Sequence, residues 1–296
     1  IGTGGEGYGC GCLPPGAQIP FGLVRLGPDT SMGDNIFVPG WSHTAGYHYF
    51  DDHIRTFSHT HLVGAGVPDF GNIGVMVMNR RPDVLDVQNC NYYSQFSHDN
   101  ETAEPGFYSV YLQTPNAQAE LTATHLVGAH RYTFLDSQKE GYVLIDAGVV
   151  LQGDGNRGAF IEVDIKAQEV RGWILNAGFL SDDFGGLHIY FVAKFDRRFI
   201  TYGTWNGRNI STEQPVSNGS YVGAFIHFDV SQDSDVELFV GISLISINQA
   251  RKNLVAETNN FAKKFDDIRQ ETQTIWENAL SKIQIKLDEP ISVYHQ

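Results

Sequence analysis

The sequence predicts a mainly β fold, an antiparallel sandwich closed by helices at its C-terminal end. Two observations carry this. Between residues 107 and 243, short segments rich in Val, Ile, Tyr and Phe recur between Gly, Asn and Asp turns, with no helical period between them. From residue 247 onward the apolar positions change to three- and four-residue steps. A parallel α/β sheet would interleave the two patterns along the whole chain.

Taken in order, residues 1–40 are dominated by Gly and Pro and read as an extended entry with a short strand at 21–26. IGVMVM at 73–78 is an apolar strand. Strands are then expected at 108–113, 119–124, 130–134, 141–146, 160–167, 169–175, 188–195, 199–202, 221–228 and 236–243. In the tail, Leu254, Phe261, Phe265, Ile268, Ile275, Trp276 and Leu280 form the stripe of one or two amphipathic helices. Pro290 ends that pattern, and 283–287 could add a last strand. The division is therefore a β domain over 1–246 and a helical segment over 247–296.

A chain of 296 residues suffices for one large domain or two ordinary ones. Its net charge of −14 argues against nucleic acid and anionic membrane surfaces, which select basic patches. No apolar run approaches the roughly 20 residues of a membrane helix. The chain opens at Ile1 without Met or signal peptide, so no address is read from its terminus. Cys10, Cys12 and Cys90 do not make a zinc ribbon; free buried thiols and a disulfide to Cys90 both stay open. Asn100, Asn209 and Asn218 fit the glycosylation pattern and hint at a secreted eukaryotic protein.

The densest chemistry lies in GWSHTAGYHYFDDHIRTFSHTHLVGAGVPDFG, residues 40–71. Five of the chain's 11 histidines fall there, beside Trp41, Tyr47, Tyr49, Gly64, Gly66 and Gly71. Histidine supplies tunable donors and acceptors, glycine lets backbone approach a ligand, and an aromatic face packs on the C–H side of a sugar ring. The stretch is expected to line a ligand pocket, with Trp41 as platform or core anchor. His59 and His61, two residues apart, share one side of an extended segment. With Asp69 they form either a polar pocket or, on weaker grounds, three metal ligands; core histidines holding the glycine loop are the structural alternative.

Sugar hydrolysis needs two carboxylates. Asp29, Asp51, Asp52, Asp69, Asp154, Asp182 and Asp183 are candidates, and none sits in a motif that identifies a pair. Asp51-Asp52 and Asp182-Asp183 read as solvated turns. No nucleophile elbow, Walker loop, dinucleotide fingerprint or His-Glu-x-x-His occurs.

Several segments together resemble the N-terminal region of family 92 glycoside hydrolases, the calcium-dependent exo-α-mannosidases. They are IGTGG at 1–5, PPGAQIPFGLVRLGPDT at 14–30, GW at 40–41 with GYHYFDD at 46–52, and FSHTHLVGAGVPDFG at 57–71. PGFYSVYL at 105–112, AELTAT at 119–124, HRYTF at 130–134, IYFVAKF at 189–195 and VGISLISINQARKNL at 240–254 follow in the family's order. Arg25, Val67-Pro68 and GYGCGC depart from the pattern.

The resemblance implies a β super-sandwich similar to galactose mutarotase, then linker helices over 247–296 leading to a catalytic (α/α)6 barrel beyond Gln296. It implies an inverting exo-acting enzyme on the α-mannosidic linkages of N-glycans or mannans, secreted, periplasmic or on the cell surface. The acid, the base and most ligands of a calcium cofactor would belong to the barrel. This domain would contribute substrate-binding residues at the interface: Trp41, Tyr47, His48, His59, His61, Gly64, Gly66 and Asp69. The partners implied are mannose-containing oligosaccharides and the C-terminal catalytic domain. A carbohydrate-binding or mutarotase-like domain without hydrolase activity, and a purely structural domain, are the rival readings.

Overall fold

A sheet with one apolar face can bury it only against another apolar surface. The computed structural model, which describes residues 2–5, 11–32, 42–83, 92–151 and 154–284, meets this demand with two nine-stranded antiparallel sheets. In spatial order the first contains β1 (Ala17–Gln18), β2 (Arg25–Ser31), β3 (His53–Ser58), β4 (Gly74–Met78), β10 (Glu140–Asp146), β17 (Val222–Asp229), β14 (Thr201–Asn206) and β15 (Asn209–Thr212); β5 (Ser94–Gln95) pairs with β3. The second contains β16 (Val216–Gly219), β11 (Asn156–Asp164), β12 (Glu169–Asn176), β13 (Leu187–Phe195), β18 (Asp235–Ser243), β9 (Val127–Phe134), β8 (Ala117–Ala123), β7 (Phe107–Leu112) and β6 (Glu101–Glu104). This is the antiparallel super-sandwich expected.

The period-2 pattern sorts the side chains. On β9, Tyr132 and Phe134 enter the core between the sheets, while Val127 and Ala129 face outward. The outward face is covered by α1 (Ile247–Glu257) and α2 (Phe265–Leu280). Ser246 caps α1 by accepting from the Gln249 amide. Ala250, Leu254, Phe265 and Ile268 pack on Phe107, Val127, Val192 and Phe239 in a second apolar cluster. The Arg269 guanidinium lies 3.6 Å from the centroid of the Phe107 ring, and the Trp276 indole N–H donates to Gln18 O at 2.6 Å. Ile275 and Leu280, placed on the helical stripe by sequence, are exposed.

Close packing of α1 on the sheet depends on Gly241. A Cβ there would sit 2.5 Å from Ala250 O and 2.7 Å from Leu254 Cβ. Gly241→Ala is expected to lift α1 and cost about 1–3 kcal/mol in urea unfolding. An unchanged midpoint would mean that α1 is not seated as described.

Two expectations are corrected. The strand foreseen at 21–26 begins only at Arg25 and runs to Ser31. Phe21 is fully exposed with φ 64°. Gly27 and Pro28 concealed the true strand. Pro28 lies past the short β1 and next to a bulge between Asp29 and Thr30, where a missing N–H is tolerated. The other correction is β3, a strand that the sequence reading did not foresee, within the stretch expected to line a pocket. Residues 283 and 284 lie outside any strand, and 285–287 fall outside the described residues.

The free edges at one end of the two sheets, β15 and β16, are neighbours in sequence. Each is four residues long, and three residues ending in Pro215 join them. Asn209 and Asn218 on these edges are exposed, as is Asn100.

Candidate functional site

β3 ends at Ser58 and delivers His59, Thr60 and His61 to the rim of the first sheet, where His61 bridges to Phe70. The two histidines take separate partners. His59 is fully buried: Nδ1 donates to Ile73 O at 2.6 Å, and Nε2 lies 3.0 Å from His130 Nε2 on the opposite sheet. His130 Nδ1 lies 3.0 Å from the Tyr132 hydroxyl. One arrangement satisfies this chain: Tyr132 O–H donates to His130, His130 Nε2–H donates to His59, and both imidazoles are neutral. Burial holds both below the usual histidine range, His59 at about 4.

His61 is turned toward β2. Its Nδ1 meets Arg25 O at 2.8 Å, and its Nε2 meets Asp29 Oδ1 at 2.8 Å and Ser58 Oγ at 3.0 Å. A nucleophilic relay needs serine and carboxylate on opposite ring nitrogens. Here they share one, so the group fixes structure. Gly46, at φ 85°, packs against it; a Cβ there would lie 2.1 Å from Asp29 Oδ1.

Asp69 has no exposed surface. Oδ1 accepts from Phe70 N (2.7 Å), Asn176 Nδ2 (2.6 Å) and Ser181 Oγ (3.0 Å); Oδ2 accepts from Leu180 N (2.9 Å) and Ser181 N (2.7 Å). Asp69 thus ties the loop after β3 to the loop after β12. Gly64 and Gly66, between them, adopt φ 72° and 67°, and a Cβ on either would meet no atom within 4 Å. Turn geometry rather than crowding therefore selects glycine there.

A cleft of about 520 Å³ opens beside this rim, lined by Leu13, Tyr47, Tyr49, Val63, His98 and Glu101 among others. Glu101 is its chemical centre. The carboxylate accepts from Tyr108 O–H (2.7 Å), Tyr47 O–H (3.1 Å) and His98 Nδ1 (2.6 Å). Burial and the Glu101 charge together push the Tyr47 and Tyr108 hydroxyls above the usual tyrosine range. Tyr49 stacks on His98 with centroids 4.4 Å apart and stands half exposed to the cleft. His48, next to it, accepts from Phe50 N and holds Gly5 O through Nε2 at 3.1 Å. Tyr49 falls in the stretch expected to line a pocket, whereas Glu101 and His98 were missed by sequence reasoning; the His98-x-x-Glu101 spacing was the available signal.

Trp41, Cys10 and Cys90 lie outside the described residues, and Cys12 is a free, half-buried thiol. Asp51, read as part of a solvated turn, is buried and accepts from Thr30 Oγ1 at 2.6 Å, with His43 Nε2 also 2.6 Å away. Only Asp52 of that pair faces solvent, beside His53. Asp182 and Asp183 do form an exposed turn, closed by Gly185. Burial raises Asp146 to about 6, but it lies in the core against Tyr92, away from any cleft-lining group named above. Among the described residues no three His, Cys, Asp or Glu side chains are placed to hold a metal ion.

Comparisons with known proteins agree with this architecture. The profile of the glycosyl hydrolase family 92 N-terminal domain matches residues 1–243. An uncharacterized secreted glycosidase of Arthroderma benhamiae is 23% identical, over 97% of this chain and 38% of its own length. The family 92 α-mannosidase BT3965 of Bacteroides thetaiotaomicron, solved also with mannoimidazole, is 26% identical; it superposes on 97% of this chain and 38% of its own, with TM-score 0.83. The inverting mannosidase BT2199 of the same organism shares the fold at 24% identity and TM-score 0.76, over 93% of this chain and 34% of its own. This chain thus spans little more than a third of the length of these relatives. With the profile covering most of its residues, and the two sheets in place, the chain belongs to glycosyl hydrolase family 92 and carries that family's N-terminal domain.

Proposed function

We propose that the chain is the substrate-binding β domain of a secreted, inverting exo-α-mannosidase that acts on the α-mannosidic linkages of N-glycans or mannans. The observation that carries this is the match of nearly the whole chain to an α-mannosidase that binds mannoimidazole. Secretion is supported by the secreted glycosidase relative and by the exposure of Asn100, Asn209 and Asn218.

Inversion needs a carboxylic acid and a carboxylate across a sugar, with room for water between. Among the described residues the buried carboxylates face internal partners: Asp29 faces His61, Asp51 faces Thr30 and His43, Asp69 faces five donors, Asp146 faces Tyr92 and Gly148 N, and Glu169 faces Arg171 and Arg251; half-buried Glu101 faces three donors. We therefore assign the acid and the base to a C-terminal catalytic domain of the same polypeptide. We assign the family's calcium to that domain too.

The residues of this chain then divide into two roles. Trp41 would stack on sugar, and Gly64 and Gly66 would admit it closely. Tyr47, His48, His59, His61 and Asp69 would hold that face in shape, since their polar atoms are spent on protein partners.

The test is mannose release from α-linked mannobioses. Residues 1–296 alone are expected to release none. The polypeptide carrying the catalytic domain should release mannose, and a calcium chelator should stop it. Chelator-sensitive release by residues 1–296 alone would refute the division of labour. In the longer polypeptide, Trp41→Ala should lower kcat/KM by about tenfold or more with folding intact. An unchanged kcat/KM would remove Trp41 from the sugar site.

A further inference from the structure

Residues 177–186, AGFLSDDFGG, connect β12 to β13 over the rim that carries the glycine loop. Such a loop is ordinarily free to turn its apolar side chains inward. This one is not. Asp69 accepts from Leu180 N, Ser181 N and Ser181 Oγ, and Phe179 N donates to Pro68 O at 3.2 Å. Gly178 N donates to Ser181 Oγ at 2.8 Å, while Gly185 N and Gly186 N donate to Asp182 O and Ser181 O at 2.9 Å. A Cβ at Gly178 would lie 2.2 Å from Asp69 Oδ1, so the loop is wound directly on the carboxylate.

The wound loop displays apolar groups. Phe184 is 88% exposed, and Phe179 and Leu180 are nearly half exposed. Val63, within the 62–68 segment, and Tyr49 and Phe50 are also exposed. A backbone held by these hydrogen bonds and displaying exposed apolar groups marks an interaction surface. Asp183, exposed beside Phe184, adds a negative charge.

We propose that Phe184, Phe179 and Leu180 form a docking knob for the C-terminal domain of the same polypeptide, and that Asp69 is the positioning residue that holds the knob. This rests on the reading that a catalytic domain completes the enzyme. The relatives argue for this occupant, because this domain makes up only about 38% of their chains. The socket on that domain would be apolar, with an arginine or lysine facing Asp183.

The test is hydrogen exchange of the peptide covering 177–186, in residues 1–296 alone and in the polypeptide that carries the C-terminal domain. Docking predicts exchange slowed about tenfold or more in the longer chain, and Phe184→Ser should abolish that slowing. Phe184→Ser should leave the thermal midpoint of residues 1–296 unchanged, since the ring is exposed. Equal exchange in both wild-type chains would overturn the proposal. So would self-association of residues 1–296, seen by sedimentation and lost in Phe184→Ser, because the occupant would then be a second copy. The readout is independent of activity. A longer chain that protects the loop yet releases no mannose would keep the knob and sink the mannosidase reading. One that releases mannose with the loop unprotected would do the reverse.

Discussion

Asp69→Asn is expected to lower the thermal midpoint of the chain by on the order of 10 °C, although the two side chains have nearly the same shape. The carboxylate faces five donors, three on Oδ1 and two on Oδ2. An amide can present oxygen to only one of these groups. Its NH2 must then confront either the two amides of Leu180 and Ser181 or the three donors on the other side. Hydrogen bonds to a charged acceptor are worth about 1.5–3 kcal/mol each, and buried donors left unpaired add a penalty. A loss of about 3 kcal/mol or more follows. Ser181→Ala, which removes one hydroxyl, should cost about 1 kcal/mol. If Asp69→Asn melted like the wild type while sugar binding vanished in the longer enzyme, Asp69 would be a direct ligand and the clamp would be wrong.

The second large effect is on acid stability. An unfolded histidine takes up a proton near pH 6.5, whereas buried His59 waits until about 4, and His130 is likewise held low by burial and by its neighbour. Across that window the unfolded chain binds more protons, so these two residues make stability fall as pH falls. Asp146 acts in the opposite direction. Burial raises it from 3.8 to about 6, so the folded chain holds a proton there that the unfolded chain lacks. Each proton is worth about 1.4 kcal/mol per pH unit. Between about pH 6.5 and 5 the histidine pair should cost up to about 4 kcal/mol and Asp146 return about 1 kcal/mol. Urea unfolding at these two pH values would measure the net loss. Asp146→Asn should steepen the fall by about 1 kcal/mol, and His130→Gln, which keeps a donor toward His59, should flatten it. Parallel curves for wild type and His130→Gln would show that the pair does not titrate as described.

Apart from β15 and β16, the strands from β7 to β18 were legible because each is a short run of apolar and β-branched residues ended by a Gly, Asn or Asp turn, so local pattern and burial agree. β3 was not. Its residues HIRTFS are mostly buried on both sides, yet four of the six are polar, and His53, Thr56 and Ser58 find partners on the neighbouring strands and loops. Tertiary hydrogen bonds stood in for the apolar alternation that sequence reading requires. The short edge strands β15 and β16 lack that alternation for the opposite reason, being mostly exposed. In the site, the histidine-rich segment was rightly singled out, but the direction of each ring was not readable. Spacing put His59 and His61 on one side; the end of β3 at Ser58 let them diverge, one to His130 and one to Asp29. Glu101 escaped notice because, His98 apart, its donors come from residues 47 and 108, which only the fold brings to it.

The edge strands have a consequence for how the protein behaves at high concentration. Two broad sheets would ordinarily offer four ladders of unpaired backbone groups to a passing chain, the starting point of fibrils. Here two of the four are confined to one short corner. β15 reads NIST and β16 reads VSNG, four residues each, with Pro215 just before β16 withholding a donor. Of the others, β1 has two residues and β6 carries Glu101 and Glu104. Among the described strands, no border is both long and apolar enough to template another molecule. Together with a net charge of −14, these short borders disfavour edge-to-edge association of a strand-rich domain.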